Sequence, residues 1–378
     1  MDNLAKSKIP EKNVGKPIFF GPEIWSTQDY GGISRYFHNL ISGISEIRQD
    51  TFAFLPTNGA GGSKSFPNTE MIHVDKLGGR SLINTGLNRL SKETRGGIYH
   101  STFYGTVNYK FWRKNGYLNV VNVHDLIIEK FPIKKTIKIL KTDQKKRAIK
   151  SADHIICISN TTKNELLKFY EIPDHKVSVI YLGCDSFGKL ENSHVLSGKK
   201  SYLLYVGNRG SYKNFDRFVK AYSYSNYLRN NFNIIAFGGG PFKQNELELF
   251  DTLNIRSKIK FMFGPDKSLV ELYSNAAALI YPSLDEGFGF PPLEAMSLGC
   301  PVIASNQGSI PEICKENVMY FDPYNVNDIS ETIEEALSNS ALLERNIVSG
   351  KAHSKNFSWA HTIQNTNNLY DKLLSHIE

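Results

Sequence analysis

The stretch from Tyr281 to Ser305, YPSLDEGFGFPPLEAMSLGCPVIAS, predicts a turn and a helix between two strands. Before it, the short apolar run from Ala276 to Tyr281 is typical of a strand covered on both faces, and Pro282 and Ser283 end that run. The run from Cys300 to Ala304 predicts the next strand. A strand, a turn, a helix and a strand in this order are typical of an α/β fold.

Glycines and prolines shape the turn and the start of the helix. Gly287 and Gly289 permit backbone conformations with positive φ and let main-chain N–H groups approach a ligand. Pro291 and Pro292 pre-set φ for the first helical turn, and Gly299 is expected to end the helix. The sequence therefore predicts a helix N-terminus beside a glycine turn, which is a cradle for a phosphate or a polyol.

Two carboxylates belong to the same stretch. Glu286 lies in the turn and Glu294 in the first turns of the helix, so both are expected to reach the crevice at the carboxyl end of the strand. Carboxylates at that position suit sugar hydroxyls. The structural alternative is a tight connection that carries two solvated glutamates.

The pattern of a glutamate, a Gly-Phe-Gly-Phe-Pro-Pro turn and a second glutamate eight positions after the first resembles the signature of family 4 glycosyltransferases. These are retaining enzymes with a GT-B fold. The resemblance implies that Glu286 contacts the donor sugar and that Glu294 contacts the nucleotide ribose. It also implies donor contacts for the turn residues Gly287, Phe288, Gly289, Phe290 and Pro291.

Length and composition set the bounds of the interpretation. The 378 residues suffice for two domains, and the net charge of +8 favours an anionic partner. The four cysteines lack CxxC spacing, which is typical of reduced thiols and not of a disulfide framework or a zinc site. With no apolar run long enough to span a membrane and no signal-peptide pattern, we expect a cytoplasmic protein.

A glycine pair near the N-terminus follows a predicted strand at Lys16 to Gly21 and opens an amphipathic helix. Gly31 and Gly32 do not form GxGxxG, so by themselves they are a weak signal. The run YGGISRYFHNL resembles the glycine loop of the family, which implies that this pair approaches the donor diphosphate. Arg35 either adds a charge there or is a solvated helix residue.

His124 ends the strand-like run from Leu118, at the edge where open α/β sheets place ligand-contacting groups. A lone histidine is usually structural. The run VHDLIIEKFP, however, resembles the family segment whose histidine lies near the donor sugar, and we therefore predict a catalytic role for His124.

The loop after the strand from Ser201 to Val206 carries two cations. Arg209 and Lys213 follow Gly207 and precede a helix, and such a pair at a strand end suits a diphosphate, because arginine clamps phosphate oxygens and lysine adds a point charge. The pair resembles the phosphate-binding arginine and lysine of the family. In the more common family pattern the arginine follows the glycine directly, whereas here Asn208 stands between them.

Two further loops are predicted to border the nucleotide. Gly238 and Gly239 follow the strand from Asn233 to Phe237 and suit a close backbone approach by base or phosphate. The resemblance implies that the main chain at Phe263 and Gly264 borders the base.

The segment Lys134 to Lys150 is the most basic part of the chain, and it lies in a predicted helix over residues 133–152. A solvated helix face is the default interpretation, and attachment to an anionic membrane is the alternative. Nucleic acid is less favoured, because no aromatic residues alternate with the charges. An apolar stripe is expected from Ile133, Ile137, Leu140, Ala148 and Ile149, with the remaining positions crowded by Lys134, Lys135, Lys138, Lys141, Lys145, Lys146, Arg147 and Lys150.

The units of strand, glycine loop and helix occur in two series. We therefore predict two Rossmann-like, doubly wound α/β domains that face a cleft. The N-terminal domain is predicted at residues 1–185, the linker at 186–200 and the donor-binding domain at 201–359. The family resemblance implies that a C-terminal helix, residues 360–378, crosses back to the first domain.

The predicted function is retaining transfer of a sugar from a nucleotide-diphosphate sugar to a saccharide acceptor. No Asp-x-Asp occurs, so we expect neither a metal nor another cofactor, and Arg209, Lys213, loop amides and the helix N-terminus must neutralise the leaving diphosphate. We favour attack on the face from which the diphosphate leaves, with Glu286 and His124 fixing the sugar. A double displacement is the other possibility.

The forms GNRGSYKNF and DEGFGFPPLEAM resemble bacterial surface-polysaccharide mannosyltransferases. This implies a GDP-sugar of the manno type and a polyprenyl-diphosphate-linked acceptor in O-antigen or related synthesis, with a UDP-sugar as the alternative donor. A rival of another class is a basic nucleic-acid-binding or scaffolding protein on a Rossmann-like frame, which predicts salt-sensitive nucleic-acid binding and no nucleotide-sugar binding.

Overall fold

The computed structural model describes residues 16–28, 31–56, 65–74, 96–105, 109–131, 135–184 and 201–377. The predicted linker at 186–200 lies outside these residues, as do Asp29 and Tyr30 of the N-terminal glycine loop and the side chains of residues 132–141.

The first sheet, within the described residues, has seven strands in the order β3-β2-β1-β4-β5-β6-β7. The pairs β1–β2, β2–β3, β1–β4 and β4–β5 are parallel. Its strands are β1 (Ile18–Phe20), β2 (Thr51–Pro56), β3 (Glu70–Val74), β4 (Gly97–Ser101), β5 (Tyr117–Val123), β6 (His154–Cys157) and β7 (Val177–Val179).

The second sheet, again within the described residues, has six strands in the order β10-β9-β8-β11-β12-β13, and every neighbouring pair is parallel. The order reverses between β8 and β11, as it does at the ligand-binding point of a Rossmann sheet. Its strands are β8 (Tyr202–Val206), β9 (Asn233–Phe237), β10 (Ile259–Met262), β11 (Ala278–Tyr281), β12 (Val302–Ser305) and β13 (Met319–Phe321).

Helices connect the parallel strands. None of those in the described ranges is long and apolar enough to cross a membrane. They are α1 (Gly32–Ile47), α2 (Tyr109–Lys114), α3 (Ile127–Lys130), α4 (Lys135–Ser151), α5 (Asn160–Phe169), α6 (Phe215–Tyr224), α7 (Asn226–Asn231), α8 (Gln244–Thr252), α9 (Asp266–Asn275), α10 (Phe290–Ser297), α11 (Ile310–Cys314), α12 (Val326–Ser338), α13 (Ser340–Ser354) and α14 (Trp359–Leu374).

The prediction of two parallel-sheet, Rossmann-like domains is confirmed. The chain forms two compact units, one of residues 1–122, 143–155 and 363–378 and the other of residues 123–142 and 156–362. The sequence interpretation did not identify β2, β3 or β13 as strands. Ser159 caps α5 and Asn325 caps α12 through their side chains.

Helix α4 agrees only in part with the predicted basic segment. Ala148 and Ile149 are buried, as the predicted apolar stripe requires, and Lys146 is exposed. Lys145 was expected among the solvent-facing lysines, and that expectation is wrong. This residue is 1% exposed, and its ammonium group lies 5.5 Å from the ring centroid of Tyr104, a cation–π distance.

The C-terminal helix α14 packs in the first unit, in agreement with the predicted return to the first domain. Tyr370 donates a hydrogen bond to Nδ1 of His100 at 2.5 Å, and Nε2–H of the same ring donates to Asn122 at 2.6 Å. Arg48 makes an ion pair with Asp371 at 2.5 Å. The imidazole is fully buried, and burial favours its neutral form, in which Nδ1 accepts the tyrosine proton.

We expect the first unit to lose stability at acidic pH through His100. Burial lowers the pKa of this histidine from 6.5 to about 4, although the hydrogen bond with Asn122 raises it. The stabilisation is therefore complete above pH 6.5 and is lost as the pH falls from there to about 4, because the unfolded chain then binds the extra proton. At about 1.4 kcal/mol per pKa unit, the loss reaches roughly 3 kcal/mol.

The measurement is the free energy of unfolding between pH 4 and 8 for wild type and for His100→Gln. Glutamine offers a carbonyl to Tyr370 and an amide to Asn122 but does not titrate. Wild type should weaken relative to the variant between pH 6.5 and 4. Parallel pH profiles would show that His100 does not carry the effect.

Candidate functional site

The site lies at the carboxyl edge of the second sheet, where the strand order reverses. Strands β8 and β11 are parallel neighbours, with Leu204 opposite Leu279. The loops that follow them, residues 207–214 and 282–289, therefore leave the sheet side by side. Open α/β sheets bind their ligands in the crevice at such a point.

The turn after β11 has the predicted form. Gly289 adopts the left-handed conformation with φ 103° and precedes α10, whose first positions carry Pro291 and Pro292. The helix ends at Ser297, and Gly299 follows with φ 71°. The start and the end of this helix are thus confirmed, and its amide N–H groups begin directly after the glycine turn.

Lys213 and Glu286 form an ion pair across these two loops. Lys213 Nζ lies 2.6 Å from Glu286 Oε1, and the two side chains are 16% and 10% exposed. The sequence predicted that Lys213 binds the diphosphate and that Glu286 contacts the sugar. The structure brings them together, so one small region of the edge holds a cation and a carboxylate.

The pair lies among tyrosines. Burial by itself lowers the pKa of the Lys213 ammonium group, but the charge of Glu286 and the hydrogen bond to it outweigh burial, so the pKa lies above its ordinary value. Lys213 Nζ also lies 5.2 Å and 5.8 Å from the ring centroids of Tyr212 and Tyr281. Burial, and then the charge of Glu286, raise the pKa of Tyr281, whose hydroxyl hydrogen-bonds with that carboxylate. The lysine therefore carries its charge at neutral pH.

His124 and Gly287 meet through their main chains. A Cβ on Gly287 would lie 1.8 Å from the carbonyl oxygen of His124. Glycine is therefore required here because the main chain of His124, in the same unit, approaches it, whether or not a ligand binds. The contact places His124 beside the turn that bears Glu286.

Arg209 lies in the predicted loop after β8 and has partners within the protein, while its contact with the diphosphate stays a prediction. Its Nε donates to Glu246 Oε1 at 2.7 Å, and its two terminal nitrogens donate to Gly238 O and Gly240 O, both at 2.7 Å. The guanidinium also lies 4.8 Å from the ring centroid of Phe242. With its side chain 3% exposed, Arg209 binds the glycine loop from inside, and we infer that it holds this loop.

The glycines after β9 form the loop to which Arg209 donates its hydrogen bonds. Gly238, Gly239 and Gly240 have φ angles of 86°, 74° and 77°, which L side chains rarely adopt. A Cβ on Gly239 would lie 2.9 Å from the carbonyl oxygen of Gly207, so the loops after β8 and β9 approach each other closely. This approach of two protein loops accounts for the glycines, and the approach of base or phosphate stays a prediction.

Glu294 and Phe263 differ strongly in exposure. Glu294 in α10 is buried, and Tyr273 donates a hydrogen bond to its Oε2 at 3.0 Å. Phe263 after β10 is 79% exposed and stacks on Phe261 with a centroid distance of 5.8 Å, beside Gly264. A carboxylate of this kind has a fixed orientation, whereas the Phe263 ring offers an open apolar face.

The first unit contains the remaining predicted glycines. Gly32 begins α1, and Gly31 is its N-cap residue. Arg35, one turn into the helix, donates its main-chain N–H to Gly31 O at 3.0 Å.

Several residues that support the turn were not found by sequence reasoning. The main-chain N–H and the hydroxyl of Ser309 both donate to Glu286 O, at 3.1 and 2.8 Å, and the Ser159 hydroxyl donates to Gly287 O at 2.8 Å. Each is one serine in a loop far from the motif in sequence. The only available signal was the position of Ser159 before a helix and of Ser309 before Pro311.

Two further acidic residues of the same unit, Glu312 and Asp285, have shifted pKa values. Glu312 accepts hydrogen bonds from the main-chain N–H groups of Asn160 and Thr161, each at 2.7 Å, at the N-terminus of α5. Burial raises its pKa, but these hydrogen bonds and that of the Thr161 hydroxyl outweigh burial and lower it. Asp285, next to Glu286, pairs with Lys130 at 2.7 Å, and burial raises the pKa of Asp285 to about 6 despite that cation.

Two protein families match consecutive parts of the chain. The family described as glycosyl transferases group 1 matches residues 186–353, and the family described as Glycosyltransferase Family 4 matches residues 30–186. Together the two matches run from residue 30 to residue 353.

Two curated relatives are O-antigen chain mannosyltransferases. The chain is 30% identical over 205 residues to O-antigen chain mannosyltransferase RfbU of Salmonella typhimurium, which is 54% of this chain and 56% of the relative. It is 31% identical over 238 residues to O-antigen chain mannosyltransferase B of Escherichia coli, which is 60% of this chain and 62% of that relative. The matches thus span less than two thirds of either relative.

A solved structure extends the likeness of fold over most of the chain. Sucrose-phosphate synthase from Thermosynechococcus elongatus aligns with a TM-score of 0.77 over 95% of this chain and 99% of that one. The sequence identity of 17% limits this likeness to the fold.

Proposed function

We propose that this chain, which two glycosyltransferase family models match over residues 30–186 and 186–353, transfers a mannosyl or other manno-type sugar from a GDP-sugar to a saccharide acceptor. The observation that carries the site is the Lys213–Glu286 pair at the point where the strand order reverses. The mannosyltransferase relatives favour the manno-type donor and synthesis of lipopolysaccharide O-antigen or another surface polysaccharide. A UDP-sugar is the alternative donor.

In the proposed reaction, the bond between the sugar C1 and the diphosphate oxygen breaks, and the nucleotide diphosphate leaves with the electron pair. An acceptor hydroxyl forms the new bond to C1 from the same face, and its proton passes to the leaving phosphate oxygen, so the configuration is retained. Lys213 meets the charge that grows on the diphosphate, and Glu286 and His124 hold the sugar. Double displacement remains the alternative route to retention.

No metal is part of this proposal. The charge of Lys213, the main-chain amides of the glycine turn and the N-terminus of α10 supply the positive field for the diphosphate. Arg209 contributes by holding the loop at residues 238–240. Transfer should therefore continue in EDTA.

Nucleotide specificity is tested by a thermal-shift panel of GDP, UDP, ADP and dTDP, run with EDTA. A ligand that binds only the native state raises the apparent stability by RT ln(1 + [L]/Kd). We expect GDP to give the largest concentration-dependent shift. A larger shift with UDP would show that the donor is a UDP-sugar and not a GDP-sugar. No shift with any nucleotide would contradict the proposed function.

Glu294 is expected to bind the nucleotide through the ribose hydroxyls. Its carboxylate is buried and oriented by Tyr273, so Glu294→Gln should keep the packing but lose the charge-assisted hydrogen bonds. We expect the affinity for GDP to fall by roughly 10-fold, at about 1.4 kcal/mol per factor of ten. Calorimetric titration measures this, and an unchanged Kd would remove the ribose assignment.

A lipid-linked acceptor would bring the protein to the inner face of the cytoplasmic membrane, and α4 is the proposed contact. Lys146, Arg147 and Lys150 are exposed on that helix, so they can approach an anionic surface. Basic residues near such a surface contribute roughly 1 kcal/mol each, and the attraction falls off within a Debye length of about 8 Å at physiological salt.

We expect replacement of Lys146, Arg147 and Lys150 by glutamine to weaken binding to acidic vesicles by about 100-fold, because roughly 3 kcal/mol of attraction is lost. Sedimentation with vesicles at increasing salt measures this. Transfer to a short soluble acceptor should stay unchanged.

The charge-matched control replaces three lysines of the second sheet region, Lys258, Lys260 and Lys267, by glutamine. This control should sediment like wild type. If the α4 variant also sediments like wild type, α4 is a solvated helix face.

A further inference from the structure

Asn214 follows Lys213 directly and has an unusual backbone. Its φ and ψ are 58° and 27°, in the left-handed region, where it ends the short 3₁₀ turn Ser211–Lys213 and begins α6. Among residues with a side chain, asparagine and aspartate tolerate this region best, and glycine adopts it freely. The backbone therefore favours these three residue types at this position.

The hydrogen bonds of the Asn214 side chain explain why asparagine, and not glycine or aspartate, occupies this position. Its Nδ2 donates to Pro282 O at 2.9 Å and to Pro323 O at 2.8 Å, while its Oδ1 accepts from Arg217 Nη1 at 2.8 Å. Glycine has no side chain to make these bonds, and aspartate has no N–H to donate. Only asparagine fits both the backbone and the partners.

These hydrogen bonds join three loops at the edge of the sheet that carries the site. Asn214 lies after β8, Pro282 directly after β11, and Pro323 shortly after β13. The Asn214 side chain is 5% exposed, and both accepting carbonyls would lose this donor in its absence. The amide thus fixes the spacing of the loops that surround the ion pair.

Lys213 is held on both sides by contacts with the segment that carries Glu286. On one side Leu284 N–H donates to Tyr212 O at 2.7 Å, and on the other Asn214 donates to Pro282 O. The Lys213 ammonium group then reaches Glu286 at 2.6 Å. The position of this cation therefore depends on the two neighbours that tie its backbone to the opposite loop.

We propose that Asn214 is a positioning residue that aims Lys213 at the diphosphate of the donor, an inference that rests on the proposed function. Asn214 does not touch the reacting atoms. It acts by fixing the loop that bears Lys213, and a displacement of about 1 Å in such a group lowers the rate by up to roughly 100-fold.

The test compares Asn214→Gly and Asn214→Asp with wild type for the rate of donor cleavage, well below their melting temperatures. Asn214→Gly keeps the backbone and removes the three hydrogen bonds, and we expect kcat to fall at least about tenfold with the donor KM within about threefold. Asn214→Asp should fall at least as far, because a carboxylate oxygen would face two carbonyls. Wild-type kcat in Asn214→Asp would overturn the proposal.

A double-mutant cycle separates positioning from a general structural effect. If Asn214 acts through Lys213, Asn214→Gly should change the rate by less than about threefold once Lys213 is already methionine. An equal loss in both backgrounds would contradict the inference and leave the proposed function intact. Wild-type activity in Lys213→Met alone would instead contradict the role of Lys213 in the proposed function.

The matched control is Asn254→Gly. Asn254 also has a positive φ, 53°, but it is exposed and precedes β10, so it lies at the amino edge of the sheet. Its kcat should equal that of wild type, and a loss equal to that of Asn214→Gly would overturn the proposal. If Asn214→Asp does not accumulate as folded protein, the cycle with Asn214→Gly decides alone.

Discussion

Replacing Lys213 with methionine is expected to lower the turnover number of sugar transfer by about 100- to 1000-fold. In the proposed reaction, the charge that this ammonium group meets grows as the bond between sugar and diphosphate breaks, and the loss of one such group typically costs about 3 to 4 kcal/mol of transition-state stabilisation. Methionine keeps most of the length and volume of the side chain. Nucleotide release at saturating donor measures the effect.

Lys260→Met is the control for this change. Lys260 is exposed on the edge strand β10, and its replacement should leave turnover unchanged. Methionine at position 213 also leaves Glu286 without its ion-pair partner. If Lys213→Met turns over donor at the wild-type rate, Lys213 does not stabilise the leaving diphosphate.

Replacing Arg209 with methionine is expected to destabilise the second unit by about 3 to 5 kcal/mol. Removal of one partner of a buried ion pair leaves the other charge uncompensated, and that is the main part of the cost. Here the remaining charge is Glu246, whose side chain is 7% exposed. The carbonyls of Gly238 and Gly240 lose their donors as well. Urea unfolding followed by circular dichroism measures the change.

An exposed pair of the same kind provides the comparison. Arg256 lies 2.9 Å from Asp251, with side chains 49% and 60% exposed, and Arg256→Met should cost no more than about 1 kcal/mol. Glu246→Gln in the Arg209→Met background should recover part of the stability, because it removes the buried charge. Equal, small losses for the two arginines would show that the buried pair does not hold this loop.

Local chemistry explains why much of the second domain was predictable from the sequence. Glycines, prolines and apolar runs influence the conformation of only a few neighbouring residues. The turn at Gly289, the start of α10 and the strand Asn233–Phe237 could therefore be predicted from them. The family resemblance adds the expected donor site. The rival prediction of a nucleic-acid-binding or scaffolding protein is less favoured, because two glycosyltransferase family models match residues 30–186 and 186–353.

The partnerships within the site were not predictable from the sequence. Lys213 and Glu286 are 73 positions apart, and only the strand order, in which β8 is next to β11, brings their loops together. Arg209 illustrates the same limit. The sequence predicted a phosphate contact for this cation, which stays a prediction, but it did not predict the hydrogen bond to Glu246, 37 positions away.

The positions of helix caps and short strands could not be predicted for a related reason. Ser159 is the N-cap of α5 because its hydroxyl accepts from Thr162 N–H, and the neighbouring Asn160 and Thr161 are equally good caps by residue type. Strand β13 has only three residues, Met319–Phe321, and is stabilised by pairing with β12. Whether such an element forms depends on its tertiary contacts, and the local sequence does not specify those contacts.

Retaining cleavage of a GDP-sugar is measured most directly by ³¹P and ¹H NMR of GDP-α-mannose incubated with the protein in EDTA, with water as the acceptor. We predict release of GDP with the α anomer of mannose appearing first, and strong slowing of both in Lys213→Met. Initial appearance of the β anomer would contradict retention. Absence of GDP release from wild type, with UDP-sugars equally inert, would contradict the assignment of this site as the centre of sugar transfer.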